Sequence, residues 1–489
     1  MNSPFIFVIF GATGDLAQHK LIPALFKLYK QGELGKDFFI VGFARREFSD
    51  QQYAHMLGDE LETHKDPKWA KFAKNIHYQK GIFEDPAGYE ELIEKLNVFD
   101  KKIGACITRF FYLATPPDNY LSILENLKTS KLSDGCGPAF NKLSGSLQES
   151  VGKWVRIAIE KPFGRDLETA KELDRKLSDI FAEEQIYRVD HYLGKETVQN
   201  MIAFRFANNI FEPVWNNKHI DHVQITFAQD EGIEKRGKFF DGVGILRDIA
   251  QNHLLQLLAT VAMEQPKSFS KEGVRDARAA AIKSIRQITP SNIAKFVVRG
   301  QYKGYKDEKD VKEGSTTETF TALKLFVDTP RFEGVPFYIR AGKKMPKEVI
   351  KISIVFIQTC HLLFKEYGCP EIGNVLTIRI QPDEGIKMRV IAKSPGSKVV
   401  LSPVDMSFSY HQSFGNYGID AYEKLLLDIF HGDQMLFNRS DELESTWKLI
   451  SNILKGWEKE KLKIPVYKPG TWGPEEGQEL IENDGRKWL

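Results

Sequence analysis

Residues 5–17, FIFVIFGATGDLA, join an unbroken apolar run to Gly11 and Gly14. A run without polar alternation is the pattern of a strand buried on both faces. The glycines allow a tight turn, and KLIPALFKLYKQGEL (20–34) then places apolar residues at helical spacing. Strand, glycine turn and helix begin a parallel α/β sheet, and the free N–H groups of a helix start suit a pyrophosphate. Gly11, Ala12, Thr13, Gly14, Asp15 and Leu16 are therefore the first candidate cofactor contacts. The spacing is G-x-x-G rather than G-x-G-x-x-G, which leaves a plain glycine-rich turn as the alternative.

The same alternation continues outward from this turn. FFIVGFARR (38–46), ITRFFYLATPP (107–117) and KWVRIAIEKPFG (153–164) read as further strands, and DLETAKELDRKLSDIF (166–181) reads as an amphipathic helix. Right-handed crossovers between such units build a doubly wound nucleotide-binding sheet. Past about residue 190, strand patterns come in groups: 219–229, 319–328, 335–342, 349–357 and 374–382. They predict a second, mostly antiparallel sheet with helices such as GVGILRDIAQNHLLQLLATVAM (242–263) beside it. The expected fold is α/β plus α+β, with a dinucleotide-binding domain over 1–190 and a larger domain over 191–489. The Gly- and Ser-rich stretch 130–150 reads as a surface loop without assigned function.

Composition narrows the function classes. The 489 residues are 42% hydrophobic and 27% charged, with net charge +2 and no long basic block, so no nucleic-acid surface is expected. No apolar run reaches the roughly 18 residues of a membrane span. The N-terminal apolar run has no basic residue before it and reads as a strand, not a signal peptide. Cysteines at 106, 136, 360 and 369 form no C-x-x-C pair and no zinc spacing. They read as reduced structural thiols in a cytoplasmic protein, with no metal site.

Strand ends carry the chemistry in such folds. Arg45 and Arg46 end the second strand, where arginine pairs with a 2′-phosphate and an acid would take a ribose hydroxyl. They point to NADP, with NAD left open by Glu47 and with two solvated charges as the alternative. Thr115 and Pro116 end the next strand. Lys161, in AIEKPFGRD, ends another and falls beside the cofactor or on the surface.

RVDHYLGKE (188–196) concentrates ionisable groups. His191 and Lys195 stand four apart, which on a helical turn puts two donors on one face as a phosphate trap, with Tyr192 adding a hydroxyl. A solvated loop is the bland alternative. His253 lies on an apolar helix, where a histidine is more often core. With Asp190 as a carboxylate partner it becomes a general base, with Asp248 nearby.

The motifs GATGDLA, EKPFG, RVDHYLGKE, RDIAQNHLLQ, ETFTALKLFVDTPRFEGVPFYIRAGKKM and DAYEKLLLDIFHGDQMLFNRSDE run in order from residue 11 to beyond 440. In this the chain resembles the glucose-6-phosphate dehydrogenase family. The resemblance implies a Rossmann domain, oxidation of glucose 6-phosphate with NADP, and a homodimer, with a tetramer left open. It implies His253 as base, oriented by Asp190; His191, Tyr192 and Lys195 on the phosphate; and Lys161 between sugar and cofactor. It further implies Asp248 on the sugar hydroxyls, Lys343 and Gln381 at the phosphate end, and Arg45 on the 2′-phosphate. The chain departs at Gln229, where many members have a glutamate, at Glu348, where a basic residue is usual, and at Phe332, where tryptophan is usual. Gln229 keeps another aldose phosphate, or glucose, in view as substrate. A catalytically silent cofactor sensor is the rival of a different class.

Overall fold

The structure is a computed structural model that describes residues 3–63, 66–136, 155–415, 420–460 and 464–489. Most of the glycine- and serine-rich stretch 130–150 lies outside the described residues.

The first sheet has six parallel strands: β1 (Phe5–Phe10), β2 (Phe38–Ala44), β3 (Ile76–Lys80), β4 (Thr108–Leu113), β5 (Val155–Glu160) and β6 (Ile186–Val189), in the order β3-β2-β1-β4-β5-β6. That is the doubly wound order, with its switch point between β1 and β4. β1 and β2 are buried at every position, which is why their sequences do not alternate. Register aligns one edge: Phe10 pairs with Phe43 and Leu113, Leu113 with Ile159, and Glu160 with Val189. The residues that follow, including Gly11, Arg45, Thr115, Lys161 and Asp190, therefore collect at the carboxyl end of the sheet.

The second sheet has nine strands: β7 (Ile220–Ala228), β8 (Val297–Tyr302), β9 (Phe320–Phe326), β10 (Pro336–Gly342), β11 (Val349–Phe356), β12 (Val375–Gln381), β13 (Gly385–Lys393), β14 (Leu401–Ser409) and β15 (Val466–Tyr467). Its pairs are antiparallel except β10 with β7 and β15 with β8. Helices pack against it, Glu475–Glu482 on β8 and β9 among them. Those at Gly237–Phe240, Leu246–Ala262 and Lys271–Lys283 hold the segment with His253 against the sheet. Polar contacts tie the two halves: buried Arg275 pairs with half-buried Glu183 at 2.9 Å, and Trp447 Nε1 donates to Phe163 O at 2.9 Å.

The cysteine reading is corrected. Cys106 and Cys136, with Cα atoms 5.8 Å apart, form a disulfide, and so do Cys360 and Cys369, 5.9 Å apart. The first joins the approach to β4 to the segment after the helix Tyr120–Thr129; the second closes the loop between β11 and β12. Chain topology brings them together at separations that no short motif announces. Disulfides persist in oxidising surroundings, so the cysteines no longer support a cytoplasmic reading. Among the described residues, no helix is long and apolar enough to cross a membrane.

Candidate active site

The glycine turn behaves as its residues demand. Gly11 has φ +88°, and a Cβ there would lie 2.3 Å from Ala114 O. No side chain fits that close approach of two strand ends. Gly11 N–H donates to Phe43 O, Gly14 N–H to Gly11 O, and the Tyr53 hydroxyl to Ala12 O, all at 2.9 Å. Helical turns begin at Asp15 and lead into the helix Ile22–Gln31. Across the switch point, Asn119 Nδ2 donates to Thr115 Oγ1 at 2.7 Å. Arg45 and Arg46 are exposed at the end of β2. The tight turn at Gly11, the helical turns that follow it and these guanidiniums fit a dinucleotide, with its pyrophosphate at the turn and its ribose end at β2.

His253 sits in a segment that differs from the expected α-helix. Leu246–Leu254 is π-helical, and α-helix resumes at Leu255. The wider turn carries Asp248, Asn252 and His253, all buried. π-Helical turns are rare and concentrate at functional sites. Asn252 accepts the His253 backbone N–H at 2.7 Å and donates to Asp248 O at 3.2 Å, which fixes the turn from inside.

The imidazole meets the carboxylate that follows β6. His253 Nδ1 and Asp190 Oδ1 are 2.5 Å apart, and Asp190 Oδ1 also accepts the Tyr192 N–H at 3.0 Å. Burial by itself would raise the Asp190 pKa, but the facing His253, then His191 and Lys161, hold it at about 2. Burial pushes His253 below its ordinary value against the pull of Asp190. The pair is therefore an ionised carboxylate and a neutral imidazole near pH 7. An ionised carboxylate only accepts, so Nδ1 carries the proton and Nε2 holds a free lone pair. Asp190, His191 and His253 also form a group of three ligating side chains. Two donors on one zinc stay about 3 Å apart, so the shorter Nδ1–Oδ1 contact is a hydrogen bond.

Cationic and polar groups surround the dyad. Lys161 Nζ, at the end of β5, donates to Asp248 O at 2.7 Å and stands 3.4 Å from its Oδ1. Burial alone would raise Asp248, but Lys161, Arg236 and Lys343 hold its pKa at about 2. Lys343, just past β10, donates to Gln229 Oε1 at 2.9 Å, and burial lowers its pKa to about 8. Gln229 thus faces the site at the end of β7, while Asp230 and Glu231 are exposed. Lys195 donates to Gln381 Oε1, and Gln381 Nε2 donates to Glu348 at 2.6 Å. Gln381 therefore serves the Lys195 end of the site.

Two expectations for the opening cluster change. Residues 190–195 fold as overlapping turns, and Lys195 has extended backbone as the cap of the helix Glu196–Phe206. His191 and Lys195 are not partners on a helical face. Burial, with His253, Lys161 and Lys195 adding to it, also drives His191 well below its ordinary value, so it stands neutral. A neutral imidazole adds no positive charge to this turn.

Sequence reasoning missed several neighbours. Arg236 approaches Asp248 Oδ2 to 3.6 Å from a short helical turn that no periodicity marks. Glu160, immediately before Lys161, is buried and accepts the Tyr112 hydroxyl at 2.6 Å and the Tyr422 hydroxyl at 3.2 Å. Burial raises its pKa to about 7. The Tyr422 ring stacks on His191 at 5.9 Å. The only signal for this network was the position of Glu160 and Tyr422 inside EKPFG and DAYEKLLLD.

A dinucleotide cradle and a buried carboxylate–imidazole pair opening on one sheet edge define a nicotinamide-dependent dehydrogenase. Residues 8–200 match the family description "Glucose-6-phosphate dehydrogenase, NAD binding domain", and residues 202–489 match "Glucose-6-phosphate dehydrogenase, C-terminal domain". A glucose-6-phosphate 1-dehydrogenase of Chlamydia muridarum is 40% identical, covering 99% of this chain and 96% of its own. One of Rhizobium meliloti is also 40% identical, over 99% and 97%. Among solved structures, a glucose-6-phosphate dehydrogenase in complex with its substrate glucose-6-phosphate superposes with TM-score 0.89 at 33% identity, over 100% of this chain and 99% of that one. The Mycobacterium avium enzyme gives 0.82 at 33% identity, over 99% of each chain. The chain belongs to the glucose-6-phosphate dehydrogenase family.

Proposed function

We propose that the chain oxidises the C1 hydroxyl of glucose 6-phosphate to 6-phosphogluconolactone, with NADP, when bound, supplying the hydride acceptor. The observation that carries this reading is the neutral His253, braced through Nδ1 by the buried Asp190 at the carboxyl edge of the dinucleotide sheet. Nε2 takes the C1 hydroxyl proton, and Asp190 stabilises the imidazolium that forms. Asp248 and Gln229 accept sugar hydroxyls. Lys161 spans sugar and cofactor, and Lys343 adds positive charge on the sugar side.

Lys195, His191 and Tyr192 hold the phosphate, which does not react. Its binding energy orients C1, and such positioning lowers barriers by several kcal/mol. Arg45 and Arg46 take the 2′-phosphate, which favours NADP and leaves NAD a weaker alternative. The test compares glucose 6-phosphate with glucose. A kcat/KM at least about 100-fold higher for the phosphate ester is expected, and equal values would refute the phosphate assignment.

We further infer a homodimer through the outer sheet. Val404 and Met406 on β14 stand 43% and 65% exposed, and Leu362 and Leu363 inside the loop closed by Cys360–Cys369 stand 77% and 75% exposed. Large apolar side chains left exposed on an outer strand mark an interaction surface. A solution mass of twice the chain supports the dimer; the mass of a single chain refutes it.

A further inference from the structure

Two carboxylates follow the arginines at the end of β2, Glu47 and Asp50. Either would compete with a cofactor phosphate for the guanidiniums, and both would repel its negative charge. β3 ties up both. Lys80 Nζ pairs with Glu47 Oε2 at 2.8 Å and lowers the Glu47 pKa through that hydrogen bond. Asp50 Oδ1 accepts the Tyr78 N–H at 2.8 Å, and Asp50 Oδ2 lies 2.7 Å from His77 Nδ1. Lys95 approaches Asp50 Oδ1 to 3.6 Å.

The turn itself is pinned by the same strand. The Tyr78 hydroxyl bonds to Ala44 O at 3.0 Å and to Arg46 O at 2.6 Å. A capping box at Ser49 and Gln52 fixes the start of the next helix. Among the described residues, Arg45 and Arg46 have no carboxylate partner, and both are exposed. Two free guanidiniums thus stand on a fixed turn whose acids are already engaged by β3.

We propose that Lys80 is a specificity-determining residue for NADP, acting by holding Glu47 away from Arg45 and Arg46. This rests on the NADP reading above and adds the device that sustains it. Without Lys80, Glu47 is the nearest acid to both arginines in sequence. It then neutralises them and repels the 2′-phosphate. NAD lacks that phosphate, and a freed Glu47 does not weaken it, since an acid there accepts a ribose hydroxyl.

The test uses the full chain at low salt, with saturating glucose 6-phosphate and varied NADP or NAD. Lys80→Met is expected to raise the KM for NADP about two- to fivefold, the scale of one exposed charge pair. Its kcat stays unchanged and its KM for NAD does not rise, and adding Glu47→Gln returns the KM for NADP to the wild-type range. An unchanged KM in Lys80→Met overturns the proposal. So does a double variant as impaired as the single one, because Lys80 would then act on the cofactor itself. If the wild-type kcat/KM for NAD equals or exceeds that for NADP, the cofactor reading fails first, before any variant is made, and this proposal falls with it.

Discussion

His253→Asn is expected to lower kcat roughly 10²- to 10⁴-fold, the range lost when a general base is removed. The KM for glucose 6-phosphate should change little, because the phosphate end carries the ground-state binding. A thousandfold loss corresponds to about 4 kcal/mol of transition-state stabilisation. Asparagine keeps the polar volume at a buried position but has no basic nitrogen. The protonation state gives a second signature. Burial presses the imidazole below its ordinary value of 6.5, so the base is unprotonated at neutral pH. Activity is then lost only as pH falls through the lowered value, and a wild-type rate–pH profile checks the sign. Near-normal turnover in His253→Asn would remove this residue as the base.

Asp190→Asn should cost as much, roughly 10³- to 10⁴-fold in kcat, by a different route. The carboxylate can only accept, so it fixes the proton on Nδ1. An amide can turn its NH2 toward the ring. The proton then moves to Nε2, and the nitrogen facing the sugar has no lone pair to offer. The double variant Asp190→Asn/His253→Asn should be about as slow as His253→Asn, since the pair acts as one unit. Multiplicative losses would show separate roles for the two residues.

The parallel sheet was legible because burial on both faces leaves continuous apolar runs, as in β1 and β2. Once those runs were ordered, carboxyl-edge residues such as Gly11, Arg45 and Lys161 followed from topology. The pairing of Asp190 with His253 was readable only as chemistry, since they lie 63 residues apart. The π-helical turn was not legible, because apolar spacing does not separate i→i+5 from i→i+4 bonding over nine residues. Nor was β6, hidden in a cluster of charge, with Arg188 buried against Asp174 and Glu183. β13 and β14 escaped notice because their outer positions are exposed in a single chain, which blurs the alternation. The cysteine pairs depended on loops that bring distant residues together.

The most direct test of the account follows a label. Glucose 6-phosphate carrying deuterium at C1 is turned over by the wild-type chain, and the reduced nicotinamide is weighed by mass spectrometry. One deuterium in the reduced nicotinamide, with the sugar recovered as the lactone or its hydrolysis product, is the predicted result. Reduced cofactor without the label, or no reduction at all, would contradict it.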